Sequence, residues 1–368
     1  MAPRLRRTRI VCISDTHNCT VKLPKGDILI HAGDLTNQGS YSELSKTVKW
    51  LEAADFEAKI VVAGNHDITL DPDFYNDHGP SFHNQNPQSP ETCLSLFTSS
   101  PSITYLSHAA ATIRLASPAG PHTELTSPRH GLWAFYYDAP QDPTSGLTTL
   151  WERIPLATDV VVTHTPPRTH RDETDERRAA GCEALRRALW RVRPRLAICG
   201  HIHDGRGAER VTCDLDGSPG VAYAEERVLP WMDAGEGNNK LSLVDLTGKH
   251  APALANDGSD QSRPQLAASH PHQPPSNPER EAPSASSPVT TDTSVAGSPA
   301  NEGHVRSTVG MGDPSSPLRD REALVGRMGR RETCVVNASI MKSRYPHIGG
   351  KQFYKPIVVD VDLPVWEE

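Results

Sequence analysis

Apolar residues in this chain gather into short, β-branched runs that stop abruptly at Gly or charged residues. Ile10 to Ser14, Asp27 to His31 and Lys59 to Ala63 read as three buried strands. Between the second and third, Ser40 and Glu43 have capping-box spacing, and Leu44, Val48, Leu51 and Phe56 recur at the interval that lines one face of a helix. This pattern predicts a βαβ unit. Ile103 to Leu106 and Ala111 to Leu115 alternate apolar with polar residues, which predicts an antiparallel hairpin, and the aromatic run Leu132 to Tyr137 predicts a further strand. The α/β rhythm resumes with a strand at Val160 to Thr163, a helix over Cys182 to Arg191 stopped by Pro194, and a strand at Leu196 to Cys199. Leu241 to Leu246, Cys334 to Ala338 and Ile357 to Val361 complete the set. Parallel units mixed with antiparallel runs imply two mixed sheets packed together with helices outside, an α/β/β/α sandwich.

Composition changes this picture in one place. Residues 251–330 contain no Phe, Trp or Tyr and hold 11 of the 32 prolines, so they cannot bury enough apolar surface to offset the entropy of ordering. Strand-like runs return after residue 330, so the expected organisation is a core over 1–250, a disordered Pro/Ser-rich insertion over 251–330, and C-terminal strands over 331–368 that complete the core. The net charge of −7 and the shortness of the basic clusters disfavour a nucleic-acid-coating surface. Seven scattered cysteines without CxxC spacing fit reduced thiols. No apolar stretch approaches the ~20 residues of a membrane span, and the basic start leads into a strand rather than a signal-type apolar region. A soluble, cytoplasmic protein is the expectation.

The chemistry sits where the apolar runs end. Asp15 and His17, Asp34, Asn65 with His66, His164, and the pair His201 and His203 each follow a Val/Ile/Leu run. Loops leaving strand ends are where an α/β fold presents side chains, and oxygen and imidazole donors suit a divalent transition metal such as manganese, iron, zinc or cobalt. Taken singly, each segment is also an ordinary turn. Asp15, His17, Asp34, Asn65, His164, His201 and His203 jointly supply seven donors, enough for two ions, with Asp34 able to bridge them and Asn65 adding a neutral carbonyl oxygen. Asp15 and His17 share a face because alternate strand residues do; His201 and His203 have the same spacing, although a bent turn would let them reach different ions.

In order, "SDTH", "AGDL", "GNHD", "VTHT" and "GHIH" resemble the motifs of the calcineurin-like metallophosphoesterase superfamily. Further segments, "HTPPRTHRD", "GHIHDGRG", "NAS" at 337–339 and "KPIVVDVDLP", look like the branch related to class III cyclic-nucleotide phosphodiesterases and the metallophosphoesterase-domain-containing proteins. The resemblance implies a four-layer metallophosphoesterase-like sandwich and two divalent metal ions. It assigns Asp15, His17 and His203 to one ion, Asn65, His164 and His201 to the other, and Asp34 to both. It also implies His66 as the acid beside the substrate, with a hydroxide held between the ions attacking phosphorus in line.

One departure narrows the substrate. The Ser/Thr phosphatase branch continues past its bridging Asp as G-D-x-x-D-R-G, whereas this chain reads "GDLTNQG", with Asn37 and Gln38 in place of the carboxylate and the phosphate-clamping Arg. The expected substrate is therefore a small phosphodiester, cyclic nucleotides included, rather than a phosphoprotein. A phosphomonoesterase or nuclease on the same site is the nearest alternative, and a binding protein that works through its Ser/Pro-rich insertion is the alternative from another class. Arg206, close to two expected ligands, is a candidate substrate contact. Arg168 and His170 are loop residues that either touch phosphate or are merely solvated, Asp67 either orients an imidazole or stabilises a turn, and His31 belongs to strand packing.

Overall fold

The computed structural model describes residues 5–115, 122–125, 151–174, 176, 179–215, 224–257, 329–344 and 346–365. Its first sheet is built around β1 (Leu5–Ile13), β2 (Ile28–Ala32) and β3 (Ala58–Val62), which run parallel, with β4 (Thr104–Tyr105) parallel at the edge beyond β3. On the other side of β1, β13 (Ile357–Pro364) pairs antiparallel, and β11 (Ser242–Asp245) runs parallel to β13. In the second sheet β7 (Val160–Val162), β8 (Leu196–Cys199) and β12 (Glu332–Asn337) are parallel, and β9 (Gly207–Cys213) and β10 (Glu225–Pro230) continue it antiparallel. A separate ribbon pairs β5 (Ala111–Arg114) with β6 (His122–Leu125).

The β-branched runs look uniformly apolar because both faces of the central strands are buried. Ile10, Cys12, Ile30 and Val62 meet Val160, Val162, Ile198 and Val336 between the sheets. The alternate residues Val11, Ile13, Leu29 and Val61 face outward and pack on Leu44, Val48 and Leu51 of α1 (Tyr41–Glu52) and on Phe97 of α3 (Pro90–Thr98). On the far side, Val161, Ala197 and Val335 pack on Leu185, Leu189 and Val192 of α4 (Glu183–Val192). The result is the four-layer α/β/β/α sandwich. Each fully buried Ile or Leu contributes about 1.5–3 kcal/mol, so the intersheet layer is the main support of the rim above it.

Local signals behave as the sequence requires. Glu43 accepts from the Ser40 N–H at 2.9 Å, closing the capping box of α1. Cys182 is the N-cap of α4, its Sγ accepting from the Leu185 N–H, and the helix stops where Arg193 turns left-handed (φ 48°) before Pro194. The expected hairpin over 103–115 does not form. Its first half is β4, which adds to β3, and its second half pairs with β6, because alternation marks a half-buried strand without naming its partner. Two helices went unread: α2 (Pro72–His83), capped by Asp71, and α3, capped by Ser89, each with Pro at its first position.

Both edges of the 251–330 stretch are packed on the core. Asn256 is buried, with Nδ2 donating to the carbonyls of Arg193 and Glu332 at 2.9 Å each. Residues 258–328 and the expected strand at Leu132 to Tyr137 lie outside the described residues. Among the described residues, no helix is long and apolar enough to cross a membrane.

Candidate metal centre

The parallel strands of both sheets end at one rim, and there the chain abandons regular pairing while remaining hydrogen-bonded. Beyond β1 and β2 the two exiting loops zip together, Asp15 N–H to the Gly33 carbonyl at 2.9 Å and His17 N–H to the Asp34 carbonyl at 3.1 Å. Beyond β7 and β8, Gly200 N–H donates to the His164 carbonyl at 2.9 Å. An isolated parallel bridge, Ser14 to Ser339, joins the exits of β1 and β12 and so ties one sheet to the other. Asp15, His17, Asp34 and His201 all adopt positive φ, between 44° and 66°. Non-glycine residues occupy that region at a cost, and clusters of them mark sites where the surrounding structure holds side chains in required directions.

Glycines make the approach of these loops possible. A Cβ on Gly200 would lie 2.0 Å from Ser14 Oγ and 2.5 Å from Asp15 Oδ2, and one on Gly64 would lie 2.2 Å from both the Asp34 amide nitrogen and its carboxylate. The glycines preceding the ligand residues in "GHIH" and "GNHD" are therefore spaces for the facing loops.

The expected ligands converge. The ligand atoms of Asp15, His17 and His203 lie within 4.8 Å of one another, as do those of Asp34, His164 and His201, and those of His17, Asp34 and His66. Asn65 Oδ1 is 3.0 Å from His164 Nε2, which is itself 3.3 Å from Asp34 Oδ1. A short helical turn over His203–Gly205, entered through the left-handed His201, sends His203 to Asp15 and His201 to His164. The spacing of that pair leaves its partners open; the bend turns the two rings towards different residues.

The imidazoles are oriented as metal ligands are. His17 Nδ1 is 3.2 Å from the Thr36 carbonyl and His164 Nδ1 is 2.8 Å from the Ala32 carbonyl. A carbonyl only accepts, so each Nδ1 carries a proton and each Nε2 faces the carboxylates, the nitrogen that would bind a cation once it had given up its own proton. Asp15 and Asp34 are 0% and 3% exposed, and among the described residues their ion-pair partners are imidazoles, with no Lys or Arg. Burial alone would raise both carboxyls, yet His203 beside Asp15 and His164 beside Asp34 hold them below the usual carboxylate range. Burial would likewise depress His164, but Asp34 more than offsets this and raises it to about 9. The position thus calls for positive charge, and buried carboxylates with tautomer-fixed imidazoles are a donor set that fits a pair of divalent cations.

His66 sits at the edge of this cluster. Its ring is 4.8 Å from that of His17, its N–H donates to Asp34 Oδ1 at 2.9 Å, and its Nδ1 donates to the Asn37 carbonyl at 2.8 Å. A backbone carbonyl of "TNQG" thereby orients this ring. Asp67 is a turn stabiliser, accepting from the amides of Gly64, Leu35 and Thr36 at 2.9–3.1 Å, and burial beside Asp34 pushes it up to about 6. His31 is buried, 3.0 Å from Thr16 Oγ1. An open cleft of about 580 Å³ lies over the centre, lined by His17, Asp34, Asn65, His66, His201 and His203 among others.

Arg206 does not reach this cleft. Its guanidinium donates to the Lys355 carbonyl at 2.7 Å and lies 4.7 Å over the Tyr354 ring, so its nearness in sequence to His203 is not nearness to a substrate. His170 is buried between Glu209 and Glu225 in the second sheet, at 2.6 and 2.9 Å. Two residues escaped notice as parts of the centre. Ser339 Oγ donates to Asp15 Oδ2 at 2.7 Å, and Asn337 Nδ2 donates to the Ile202 carbonyl at 2.8 Å, bracing the turn between the two histidines. The only signal was "NAS" following an apolar run.

The sequence profile of the family described as "Calcineurin-like phosphoesterase" matches residues 8–205, from β1 to the end of the His203 turn. This chain belongs to the calcineurin-like phosphoesterase family. Metallophosphoesterase domain-containing protein 1 of Homo sapiens is 36% identical over 215 residues, covering 54% of this chain and 62% of that protein. UPF0046 protein K07C11.7 of Caenorhabditis elegans is 33% identical over 201 residues, covering 54% and 64% respectively. Probable rhamnogalacturonate lyase C of Emericella nidulans is 40% identical over 215 residues, covering 56% of this chain and only 18% of that protein. The chain thus spans 18% to 64% of the lengths of these relatives. Among solved structures, the purple acid phosphatase PPD1 from yellow lupin seeds superposes with a TM-score of 0.33 at 11% identity, over 57% of this chain and 40% of that one. The centre is the candidate metal site of a metallophosphoesterase.

Proposed function

We propose that the chain hydrolyses small phosphodiesters, cyclic nucleotides among them, at a dinuclear centre. The observation that carries this reading is the convergence of the ligand atoms into compact groups, Asp15 with His17 and His203 and Asp34 with His164 and His201, joined through His17 and Asp34. Asp15, His17 and His203 would hold one ion, Asn65, His164 and His201 the other, with Asp34 shared. Two bound divalent cations supply Lewis acidity and a nucleophilic water at neutral pH.

The protein's own residues do the rest. Buried carboxylates and carbonyl-anchored imidazoles fix the donors before substrate arrives, so little reorganisation accompanies reaction. His66 lines the cleft and lies within ligand reach of His17 and Asp34; we assign it the role of acid rather than of ligand. With Nδ1 committed to Asn37, its Nε2 is the atom placed to hand a proton to a leaving oxygen. The absence of the carboxylate and Arg at positions 37 and 38 supports a diester over a phosphoprotein.

The test is hydrolysis of bis(p-nitrophenyl) phosphate against p-nitrophenyl phosphate by manganese-loaded protein. Preference for the diester is expected. Preference for the monoester would make the chain a phosphomonoesterase, and two bound ions without turnover of either compound would remove the enzymatic reading.

A further inference from the structure

The cleft is also lined by a part of the chain that the ligand motifs do not reach. Between β12 and β13, Met341, Ser343, Arg344 and His347 line the cleft beside the candidate metal ligands, and the segment from Met341 to Lys355 is the source of all four. It holds Lys342, Arg344, Lys351 and Lys355 and no Asp or Glu, in a chain whose net charge is −7. The segment is closed on itself: Lys342 N–H donates to the Gln352 carbonyl at 2.8 Å, Gln352 N–H to Ser343 Oγ at 2.9 Å, and Tyr354 N–H to the Ile340 carbonyl at 2.7 Å. Lys351 Nζ fastens it to the centre by donating to the His17 carbonyl at 2.9 Å.

Arg344 is presented from this braced loop and pairs with Asp204, the residue directly after His203. Their side chains are 58% and 37% exposed. An ion pair in that much water contributes little, so the carboxylate is a replaceable partner. A phosphate is a better one, because the guanidinium fork matches two phosphate oxygens and a phosphate can bring a second charge. His347, its Nδ1 3.0 Å from Ser343 Oγ, stands on the same wall.

We infer that Arg344, with His347 beside it, forms a second anion subsite, so that preferred substrates carry a further phosphate group besides the scissile phosphodiester. That group takes the place of Asp204 on the guanidinium. The inference rests on the phosphodiesterase reading, and its test separates the two.

Thymidine 5′-(p-nitrophenyl phosphate) and its 3′-phosphorylated counterpart share one scissile bond and differ in one phosphate. Full-length, manganese-loaded protein is expected to favour the 3′-phosphorylated ester by about tenfold or more in kcat/KM, mainly through KM. Arg344→Ala should erase that preference, Arg344→Lys should keep part of it, and Asp204→Asn should strengthen it several-fold by removing the competing carboxylate. Equal use of the two esters by the native protein, or a preference that survives Arg344→Ala, overturns the subsite. If protein with two bound ions hydrolyses neither ester, the phosphodiesterase reading fails. The subsite is then read from calorimetric binding of thymidine 3′,5′-bisphosphate: weakening by about tenfold in Arg344→Ala upholds it, and unchanged binding overturns it.

Discussion

His164 and His170 leave the end of the same strand, both buried against carboxylates, and both are raised to about 9 because those carboxylates outweigh the penalty of burial. Only His164 belongs to the candidate metal centre. His170 has both ring nitrogens on carboxylates, Glu209 at 2.6 Å and Glu225 at 2.9 Å, and Arg186 adds a permanent cation to Glu225 at 2.9 Å. Two anions meet two cations, and the cluster is complete in itself. At the rim, the ion-pair partners of Asp15 and Asp34 among the described residues are imidazoles, His17 and His164 are anchored through Nδ1 on backbone carbonyls, the backbone is left-handed at four candidate ligand positions, and a cleft lies above. Residue composition and titration direction do not distinguish the two clusters. The lack of a Lys or Arg partner among the described residues, stored backbone strain and access to solvent do.

The sharpest way to break this contrast is to remove the shared carboxylate. Asp34→Ala should lose both bound metal and turnover, a larger effect than loss of a general acid, because its oxygens contact His17 and His164 and accept the His66 N–H. Metal analysis together with diester hydrolysis measures it. Retention of two ions would place the centre elsewhere. Next in size is His66→Ala, which should keep both ions and slow hydrolysis about 10²–10⁴-fold, the range for a lost general acid. Loss of metal in that variant would make His66 a ligand, as its closeness to His17 and Asp34 allows.

Gly200→Ala tests the steric half of the comparison. The added methyl would be 2.0 Å from Ser14 Oγ and 2.6 Å from Ser14 Cβ, so the "GHIH" turn must retreat from β1. Overpacking of this kind costs about 1–3 kcal/mol, and disturbance of the groups behind the ligands typically weakens metal affinity ~10–100-fold. Thermal denaturation and metal titration of one sample should show both losses; a change in stability with metal affinity untouched would detach the turn from the centre.

Much of this was legible in the sequence because the fold buries both faces of its central strands. Continuous β-branched runs then mark strands, and the polar residue after each run marks the rim, which is how Asp15, Asp34, Asn65, His164 and His201 were found together. What stayed hidden depends on partners distant along the chain. Alternation at 103–115 fits any half-buried strand: the first half joins the distant β3, whereas the second pairs with β6 a few residues further on. Arg206 is near His203 in sequence, yet Tyr354 and the Lys355 carbonyl draw it away. Ser339 and Arg344 reach the site because β12 lies beside β8, a pairing that no local pattern encodes. By contrast, α2 and α3 carried readable signals, Asp71 and Ser89 each followed by Pro, and were missed because their apolar faces are thin.

The last effect belongs to the completed cluster and touches stability alone, and its sign follows from linkage. His170 has a folded value of about 9 against an ordinary value of 6.5, so its contribution to stability is full below about 6.5 and is lost as pH rises towards 9. The ring is nearly inaccessible, 4% exposed, and the difference corresponds to on the order of 3 kcal/mol at most, counted once for the whole cluster. Chemical denaturation of the native protein between pH 6.5 and 9 should show this decline, and His170→Gln should flatten it while leaving metal content unchanged. If the substitution instead strips metal from the rim, the two clusters are one system, coupled through the chain from His164 to His170, and charge balance ceases to be what separates them.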